Sequence, residues 1–374
     1  MKRNLIACLC VALVLRVLFV VFVFPEAASR WQLREDGDHY GELAQTIRDG
    51  RWTDVVIGPV YPLFVAVARA PMTVKLAQAV VDVLTGLLVF QLSRRRMLAM
   101  WLWALYPFAI WRVAFINKET ALTFLFAAYV CAQVAAVRDG KHWQWILAGA
   151  LLGLVNLCKP MYLLWPLVLA WFVSRATAKS ALALLAMALV IAPWTWRNYR
   201  VSGGDFIPVG TQQGGVTTFV GNYQPNAGMW EGDGKTNWMM AVAEIRAQHP
   251  NATPSELDRV FYREAWKQIA ADPVNALAIY VRKLGRFWFL SSAQRVPLGS
   301  ILIQGVYLAL AVFGFWRLRP WRAEEYWLVS IVVAAMCIHA VGVSEIRFCL
   351  PVMPIVCALA VGMRKLDRDN LARV

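Results

Sequence analysis

The sequence carries few charged residues for its length. Only 16% of its 374 residues are Asp, Glu, Lys or Arg, whereas 59% are hydrophobic and the mean hydropathy is +0.51. Soluble globular domains carry about 25% charged residues, so this composition excludes an ordinary soluble domain. Long uncharged apolar stretches recur along the chain instead, as expected of helices that cross a membrane.

Several motifs of soluble enzymes are also missing. The four His form no H-E-x-x-H pattern, which argues against a zinc peptidase, and no Walker A loop is present. The seven Cys form no C-x-x-C pair and lie in or beside apolar stretches, so we expect them to pack rather than to form disulfides or bind metal. The net charge of +15 fits cytoplasmic membrane anchors better than nucleic-acid binding.

Ten apolar stretches have about the length that a bilayer core requires. They are residues 4–24, 72–93, 97–116, 120–137, 142–158, 160–174, 180–195, 298–316, 325–342 and 346–363. No small-residue cleavage site follows the first stretch, so we expect it to be retained as a helix. The sequence therefore predicts an all-α polytopic membrane protein of about ten transmembrane helices, formed as a single domain over residues 1–374.

The distribution of basic residues predicts the orientation. With a cytoplasmic N-terminus, the cytoplasmic segments hold most of the Lys and Arg, including the run from Arg94 to Arg96. The three short outer loops then hold one Lys or Arg each, namely Lys118, Lys159 and Arg347. By the positive-inside rule both termini are predicted to be cytoplasmic.

Two long segments fall on the outer side in this topology, residues 25–71 and residues 196–297. The second has aromatic residues at helical spacing, which predicts amphipathic helices lying along the membrane surface. Thr253 to Glu256 and Asp272-Pro273 have the residue types of helix starts.

Two charged residues lie deep inside predicted spans. Arg16 and Asp82 both fall roughly 16–18 Å from the inner face at 1.5 Å rise per residue. Because a lone charge in a membrane is costly, the matched depth predicts an ion pair between neighbouring helices. A proton relay or a transport site is the functional alternative.

The polar residues at span ends converge on the outer face. They are Asp36, Asp38, Arg112, Asn117, Lys118, Glu119, Lys159, Arg197, Asn198, Glu345 and Arg347. Each one alone is equally well explained as a charge that reaches the interface. Together, cations suited to phosphate and carboxylates suited to general-base chemistry predict group transfer from a lipid phosphate to a nucleophile at that face.

Five motifs in chain order resemble those of polytopic GT-C glycosyltransferases. They are Asp36-Gly37-Asp38-His39-Tyr40 with Leu43, Ala44 and Gly50; Gly58-Pro59-Val60-Tyr61-Pro62; Asn117-Lys118-Glu119-Thr120; Ala192-Pro193-Trp194-Thr195-Trp196-Arg197-Asn198-Tyr199 with Gly215 and Asn222; and Arg347 to Pro354. The pattern is similar to that of protein O-mannosyltransferases and lipid A aminoarabinose transferases. It departs from them at Gly37, where they have Glu, and in ending soon after the last motif.

The resemblance implies a GT-C-type bundle and an inverting transfer of sugar from a polyprenyl-phosphate donor. The acceptor would be a glycan, lipid or protein hydroxyl or amine at the periplasmic face of a bacterial inner membrane. Asp36 would be the catalytic base, with Asp38 as the alternative. Arg347, Arg197 and Lys159 would bind the donor phosphate.

The same motifs imply supporting or substrate-binding roles for Tyr40, Tyr61, Lys118, Glu119, Asn198, Asn222 and Glu345. No cofactor is required by the pattern, although its carboxylates are also compatible with a divalent cation. Two other functions stay open at this point. One is a transporter or flippase of lipid-linked sugars, and the other is a non-catalytic assembly factor that kept the same scaffold.

Overall fold

A computed structural model describes residues 2–23, 37–163, 177–210, 212–229, 238–290 and 298–362. Over these ranges the chain is helical and forms no β-strand. The helices are α1 (Lys2–Leu18), α2 (Gly37–Arg48), α3 (Val60–Ala68), α4 (Pro71–Leu92), α5 (Met97–Ala104), α6 (Pro107–Arg112), α7 (Glu119–Asp139), α8 (His142–Cys158), α9 (Thr177–Val201), α10 (Gln212–Asn222), α11 (Trp238–Gln248), α12 (Pro254–Ala271), α13 (Pro273–Phe289), α14 (Leu298–Arg317), α15 (Ala323–Val341) and α16 (Met353–Ala360).

Six of these helices are long and apolar enough to cross a bilayer. They are α1 extended to Phe22, α4, α7, α9, α14 and α15, with span lengths from 18 to 24 residues. At 1.5 Å per residue these spans measure about 27 to 36 Å, near the thickness of a bilayer core. The chain is thus a membrane-embedded helical protein, as its composition predicts.

The described residues do not confirm the predicted number of ten spans. The stretch 97–116 is divided into α5 and α6 at Tyr106-Pro107, because proline cannot donate the helical hydrogen bond and disfavours helix in the residue before it. α8 has 17 residues, and the last stretch is a 3-10 segment, Ile346–Val352, followed by the 8-residue α16. Most of the predicted span 160–174 lies outside the described residues.

Both helix starts predicted in the second outer segment are confirmed. At α12 the Thr253 hydroxyl accepts a hydrogen bond from the Glu256 amide at 3.3 Å, and the Glu256 carboxylate accepts one from the Thr253 amide at 2.9 Å. This reciprocal pair is a capping box. At α13 the Asp272 carboxylate accepts a hydrogen bond from the Asn275 amide at 3.0 Å.

Glycine allows α8 and α9 to approach closely. A Cβ atom at Gly149 would lie 2.0 Å from the Ala183 carbonyl oxygen, and one at Gly153 would lie 2.8 Å from the Val190 Cβ. Since residue numbers rise together along the contact, the two helices run parallel.

The predicted pairing of Arg16 with Asp82 is confirmed. The Arg16 Nε donates to the Asp82 carboxylate, and both side chains are buried between α1 and α4. The Arg16 guanidinium also donates to the carbonyls of Ala12 and Ala104 at 3.0 Å and of Trp103 at 3.3 Å. The pair therefore joins α1, α4 and α5 through bonds that satisfy a buried cation.

We expect Asp82→Asn to lower the free energy of unfolding by about 3 kcal/mol, because it leaves Arg16 buried without its counter-ion. Combining it with Arg16→Met should restore most of that loss. Reversible unfolding in mixed micelles measures both effects. The control is Asp139→Asn, whose carboxylate is partly exposed and should cost less than about 1 kcal/mol. Equal losses for the two single variants would contradict a structural role for the pair.

Candidate functional site

A polar chain connects α2 and α3 to the loop before α7. Tyr40 is buried and packs edge-on against Tyr61, with ring centroids 4.7 Å apart. The Tyr61 hydroxyl donates to the Gln78 side-chain oxygen at 2.7 Å. The Gln78 amide donates to the carbonyls of Val113 at 3.0 Å and Phe115 at 2.9 Å. These bonds fix the backbone that leads into Glu119.

Six charged side chains gather beyond this loop and are called the charged cluster below. They are Arg112, Lys118, Glu119, Lys159, Glu345 and Arg347. At its centre, an Arg112 Nη atom lies 3.1 Å from a Glu119 carboxylate oxygen, and both side chains are buried. Glu119 also interacts electrostatically with Arg347, Lys159 and Lys118. As the first residue of α7, its negative charge is further favoured by the helix dipole.

Glu345 and Arg347 enter the charged cluster from the segment after α15. The Arg347 Nε lies 2.9 Å from a Glu345 carboxylate oxygen, and the Arg347 guanidinium lies 5.1 Å from the centroid of the Phe348 ring. The Ile346 amide donates to the Leu290 carbonyl at 2.8 Å, which ties this segment to the end of α13. The Arg347 side chain remains 19% exposed, so a ligand can reach it.

Lys159 follows α8 directly and is held by two neutral groups. Its ammonium lies 3.7 Å from the Phe348 ring centroid and 3.3 Å from His339 Nε2. Burial lowers the pKa of Lys159 to about 7, an effect that nearby Glu119 opposes and that Lys118 and Arg347 increase. The charge on Lys159 is therefore sensitive to the charge of whatever binds beside it.

An open-sided pocket lies next to the charged cluster. Arg112 and Arg347 line it together with six largely apolar side chains: Tyr106, Phe108, Trp111, Ile346, Cys349 and Leu350. The lining is mostly apolar, and two guanidiniums border it. Its enclosed volume is about 20 Å³, enough for about one water molecule, so a larger anionic ligand at the guanidiniums would lie along its open side.

Of the two predicted catalytic carboxylates, the structure describes only Asp38. Asp36 lies outside the described residues. Asp38 lies in the first turn of α2 and is partly buried, and a carboxylate is favoured at this end of a helix. Its helix is fixed to the rest of the bundle through Tyr40, two residues later.

Arg197 holds the loop between α2 and α3. Its guanidinium donates to the carbonyls of Trp52 and Asp54, the latter at 2.5 Å. It also lies 4.9 Å from the Trp52 ring centroid and 4.5 Å from that of Trp194. The contacts described for Arg197 are thus with this loop and its own helix, and the charged cluster assembles without it.

Asn198 and Asn222 also bind backbone carbonyls. The Asn198 amide donates to Ile207 at 3.1 Å and Val209 at 3.2 Å. The Asn222 amide donates to Val341 at 2.9 Å. Both asparagines therefore hold backbone segments in place through their side-chain amides.

Lys283 of α13 was not indicated by any sequence motif. It is buried, and its ammonium donates to the Gly221 carbonyl at 2.8 Å and the Gly342 carbonyl at 3.0 Å. Burial lowers its pKa to about 7. The bonds of Lys283 join the ends of α10 and α15, and so fix the chain just before Glu345.

No sequence pattern indicated His339 or Gln78 as a site residue, because a single polar residue in an apolar stretch has no periodic or motif signal.

No group of three or more His, Cys, Asp or Glu side chains suited to a metal ion occurs within the ranges that the structure describes.

Lys159→Met should flatten the dependence of stability on pH. The pKa of Lys159 is depressed in the folded protein, so between about pH 7 and 10 the unfolded chain binds a proton that the folded chain lacks, and stability rises with pH. We expect the wild-type free energy of unfolding to gain about 1 kcal/mol per pH unit over the variant across this window. Lys267→Met, at a side chain that is 64% exposed, is the control, and an equal change there would refute the depressed pKa.

Comparison with known proteins adds no relative to this description. No protein-family model matches the chain, and no curated protein matches it. The charged cluster and the pocket beside it are therefore the features from which a function is inferred.

Proposed function

We propose that this chain is a membrane glycosyltransferase that moves a sugar from a polyprenyl-phosphate donor to an acceptor hydroxyl or amine. The observation that carries the proposal is the charged cluster at one end of an apolar bundle, with the partly exposed Arg347 beside an apolar pocket. The proposed place of reaction is the periplasmic face of a bacterial inner membrane, as the distribution of basic residues predicts.

The charges of the cluster suit a phosphate group. Its four basic residues, Arg112, Lys118, Lys159 and Arg347, exceed its two acidic residues, Glu119 and Glu345. A phosphodiester donor carries one negative charge, and the phosphate monoester released by transfer carries up to two. The excess of positive charge therefore favours the charge that develops on the leaving group, which is the requirement for electrostatic catalysis.

The apolar parts of the site suit the lipid of the donor. Tyr106, Phe108 and Trp111 line the pocket next to Arg112 and Arg347. A polyprenyl chain could lie along this surface while its phosphate contacts the guanidiniums. The lipid would then remain in apolar surroundings during transfer, which avoids the cost of exposing it to water.

The base in the proposed reaction is Asp36, with Asp38 as the alternative. The acceptor oxygen or nitrogen attacks the anomeric carbon, the bond from that carbon to the phosphate oxygen breaks, and the carboxylate takes the proton from the acceptor. The bonding electrons leave with the polyprenyl phosphate, whose added charge the cluster stabilises. Attack opposite the leaving group inverts the anomeric carbon.

A transporter of lipid-linked sugars is the second candidate, and the structure gives it less support. Transporters place charged residues along a path near the membrane centre. The deep pair of Arg16 and Asp82 is instead enclosed, since Arg16 also donates to three backbone carbonyls. This bonding fits a structural pair better than a transport site.

The proposal is tested with purified protein, a panel of radiolabelled polyprenyl-phosphate sugars and a membrane extract as the source of acceptor. We expect one donor to transfer label to a new product, and a parallel reaction with EDTA tests for a divalent cation. Absence of transfer from every donor, together with movement of a lipid-linked sugar across proteoliposome membranes, would favour the transporter instead.

Asp36→Asn should lower kcat by about 10³-fold, within the usual range for loss of a general base, while donor affinity stays unchanged. Transfer rates and donor binding are measured on the same preparation. Asp49→Asn, at another carboxylate of the same outer segment, is the matched control and should retain activity. An inactive Asp38→Asn beside an active Asp36→Asn would move the base to Asp38.

Arg347→Ala should weaken donor binding about tenfold to a hundredfold, because a hydrogen bond to a charged group contributes about 1.5–3 kcal/mol. Arg347→Lys should retain part of the affinity. It keeps the positive charge near Glu345 but loses the planar guanidinium, which can donate two parallel hydrogen bonds to a phosphate. Arg51→Ala, whose side chain is 77% exposed, is the control. Unchanged donor affinity in Arg347→Ala would remove Arg347 from the phosphate site.

A further inference from the structure

His339 lies at the cluster end of α15 with its ring enclosed between two aromatic side chains. The His339 ring centroid is 4.9 Å from that of Phe348, with the rings stacked, and 5.5 Å from that of Phe287. The side chain is 1% exposed. Two neighbouring segments, α13 and the 3-10 segment after α15, therefore fix the plane of the imidazole.

The hydrogen bonds of His339 define which nitrogen carries the proton. Nδ1 lies 2.7 Å from the Ala335 carbonyl oxygen, and a carbonyl only accepts, so Nδ1 donates. In the neutral ring Nε2 then carries a lone pair that can accept a hydrogen bond. Nε2 lies 3.3 Å from the Lys159 Nζ. A protonated Nζ can donate but cannot accept, so the Nε2 lone pair accepts from the ammonium.

Two neutral groups thus set the position of the Lys159 ammonium. The His339 lone pair takes one of its three hydrogens, and the Phe348 ring face lies 3.7 Å from Nζ. A carboxylate in place of the imidazole would cancel the charge at contact distance. A neutral acceptor and an aromatic face hold the ammonium in place without neutralising it, so its charge acts on the nearby Glu119 and on any anion that binds beside it.

We propose that His339 is a positioning residue that holds Lys159 against Phe348 and so presents an ammonium to the phosphate of the lipid donor. This inference rests on the proposed function for the identity of the ligand. No sequence motif indicates His339, and its two ring nitrogens have different roles. Nδ1 fixes the ring to α15, and Nε2 fixes the lysine.

His339→Phe and His339→Gln test the inference. Phe keeps the stacked ring and removes the acceptor, whereas the Gln side-chain oxygen can replace Nε2. We expect His339→Phe to raise KM for the donor about tenfold, which equals about 1.4 kcal/mol, with kcat at saturating donor changed less than twofold. His339→Gln should return KM to within about threefold of the wild type, in line with a hydrogen bond of this size. His142→Phe, at an exposed histidine, is the control.

A purely space-filling role predicts a different pattern. In that case His339→Phe leaves KM for the donor unchanged, and any loss of activity appears in kcat or in the amount of folded protein. His339→Gln then does not restore function. That result would overturn the inference. If His339→Phe does not fold, Phe348→Leu removes the second group that holds Lys159. Its KM for the donor should then rise, and an unchanged KM would equally overturn the inference.

A binding arm separates this inference from the proposed function. The probe is a short-chain polyprenyl phosphate without sugar, titrated calorimetrically into the wild type and both His339 variants in detergent. Weaker binding by His339→Phe and recovery by His339→Gln support the positioning role even if no sugar is transferred. Equal binding by all three proteins refutes it even if transfer occurs.

Discussion

The site depends on one buried anion, Glu119. An acidic group in apolar surroundings is stable only when cations or hydrogen-bond donors compensate it. Arg112 makes the direct contact, and Lys159 and Arg347 approach from two other parts of the chain. Glu119 thereby brings together the end of α6, the end of α8 and the segment after α15, which would otherwise repel one another as an unbalanced group of cations.

The surrounding helices hold these segments by bonds to backbone carbonyls. Gln78 fixes the chain before Glu119, and Lys283 fixes the chain before Glu345. Arg197 does the same for the loop between α2 and α3. A carbonyl can be held in this way only if the donor side chain is itself fixed, which is why these residues are buried or stacked on aromatic rings. Hydrogen bonds outside the charged cluster therefore add to its own ion pairs in fixing the positions of its charges.

The sequence could predict the features that depend on local residue types or on positions along the chain. Arg16 and Asp82 were paired from their equal depth in two spans, and the helix start at Thr253 follows from its residue types. The same topology brought Glu119, Lys159 and Arg347 to one end. The division of the stretch 97–116 had a signal as well, in Pro107, that the hydropathy pattern obscured.

The parts that sequence could not predict depend on contacts between distant segments. His339 is an isolated polar residue in an apolar helix, and its partner Lys159 is 180 residues away in the chain. Arg197 belongs to the most specific motif, yet its position against Trp52 depends on how a loop 145 residues earlier folds back. The motif identifies the residue, whereas its contact with this backbone is visible only in the folded chain.

The bonding of Arg16 has a consequence for how the protein is made. A charged residue at the centre of an isolated membrane helix costs about 2.5–3.5 kcal/mol on insertion. The partners that offset this cost are Asp82 and the carbonyls of Trp103 and Ala104, which are synthesised 66 to 88 residues later. The bonds that offset the cost of burying Arg16 can therefore form only after α4 and α5 have been synthesised.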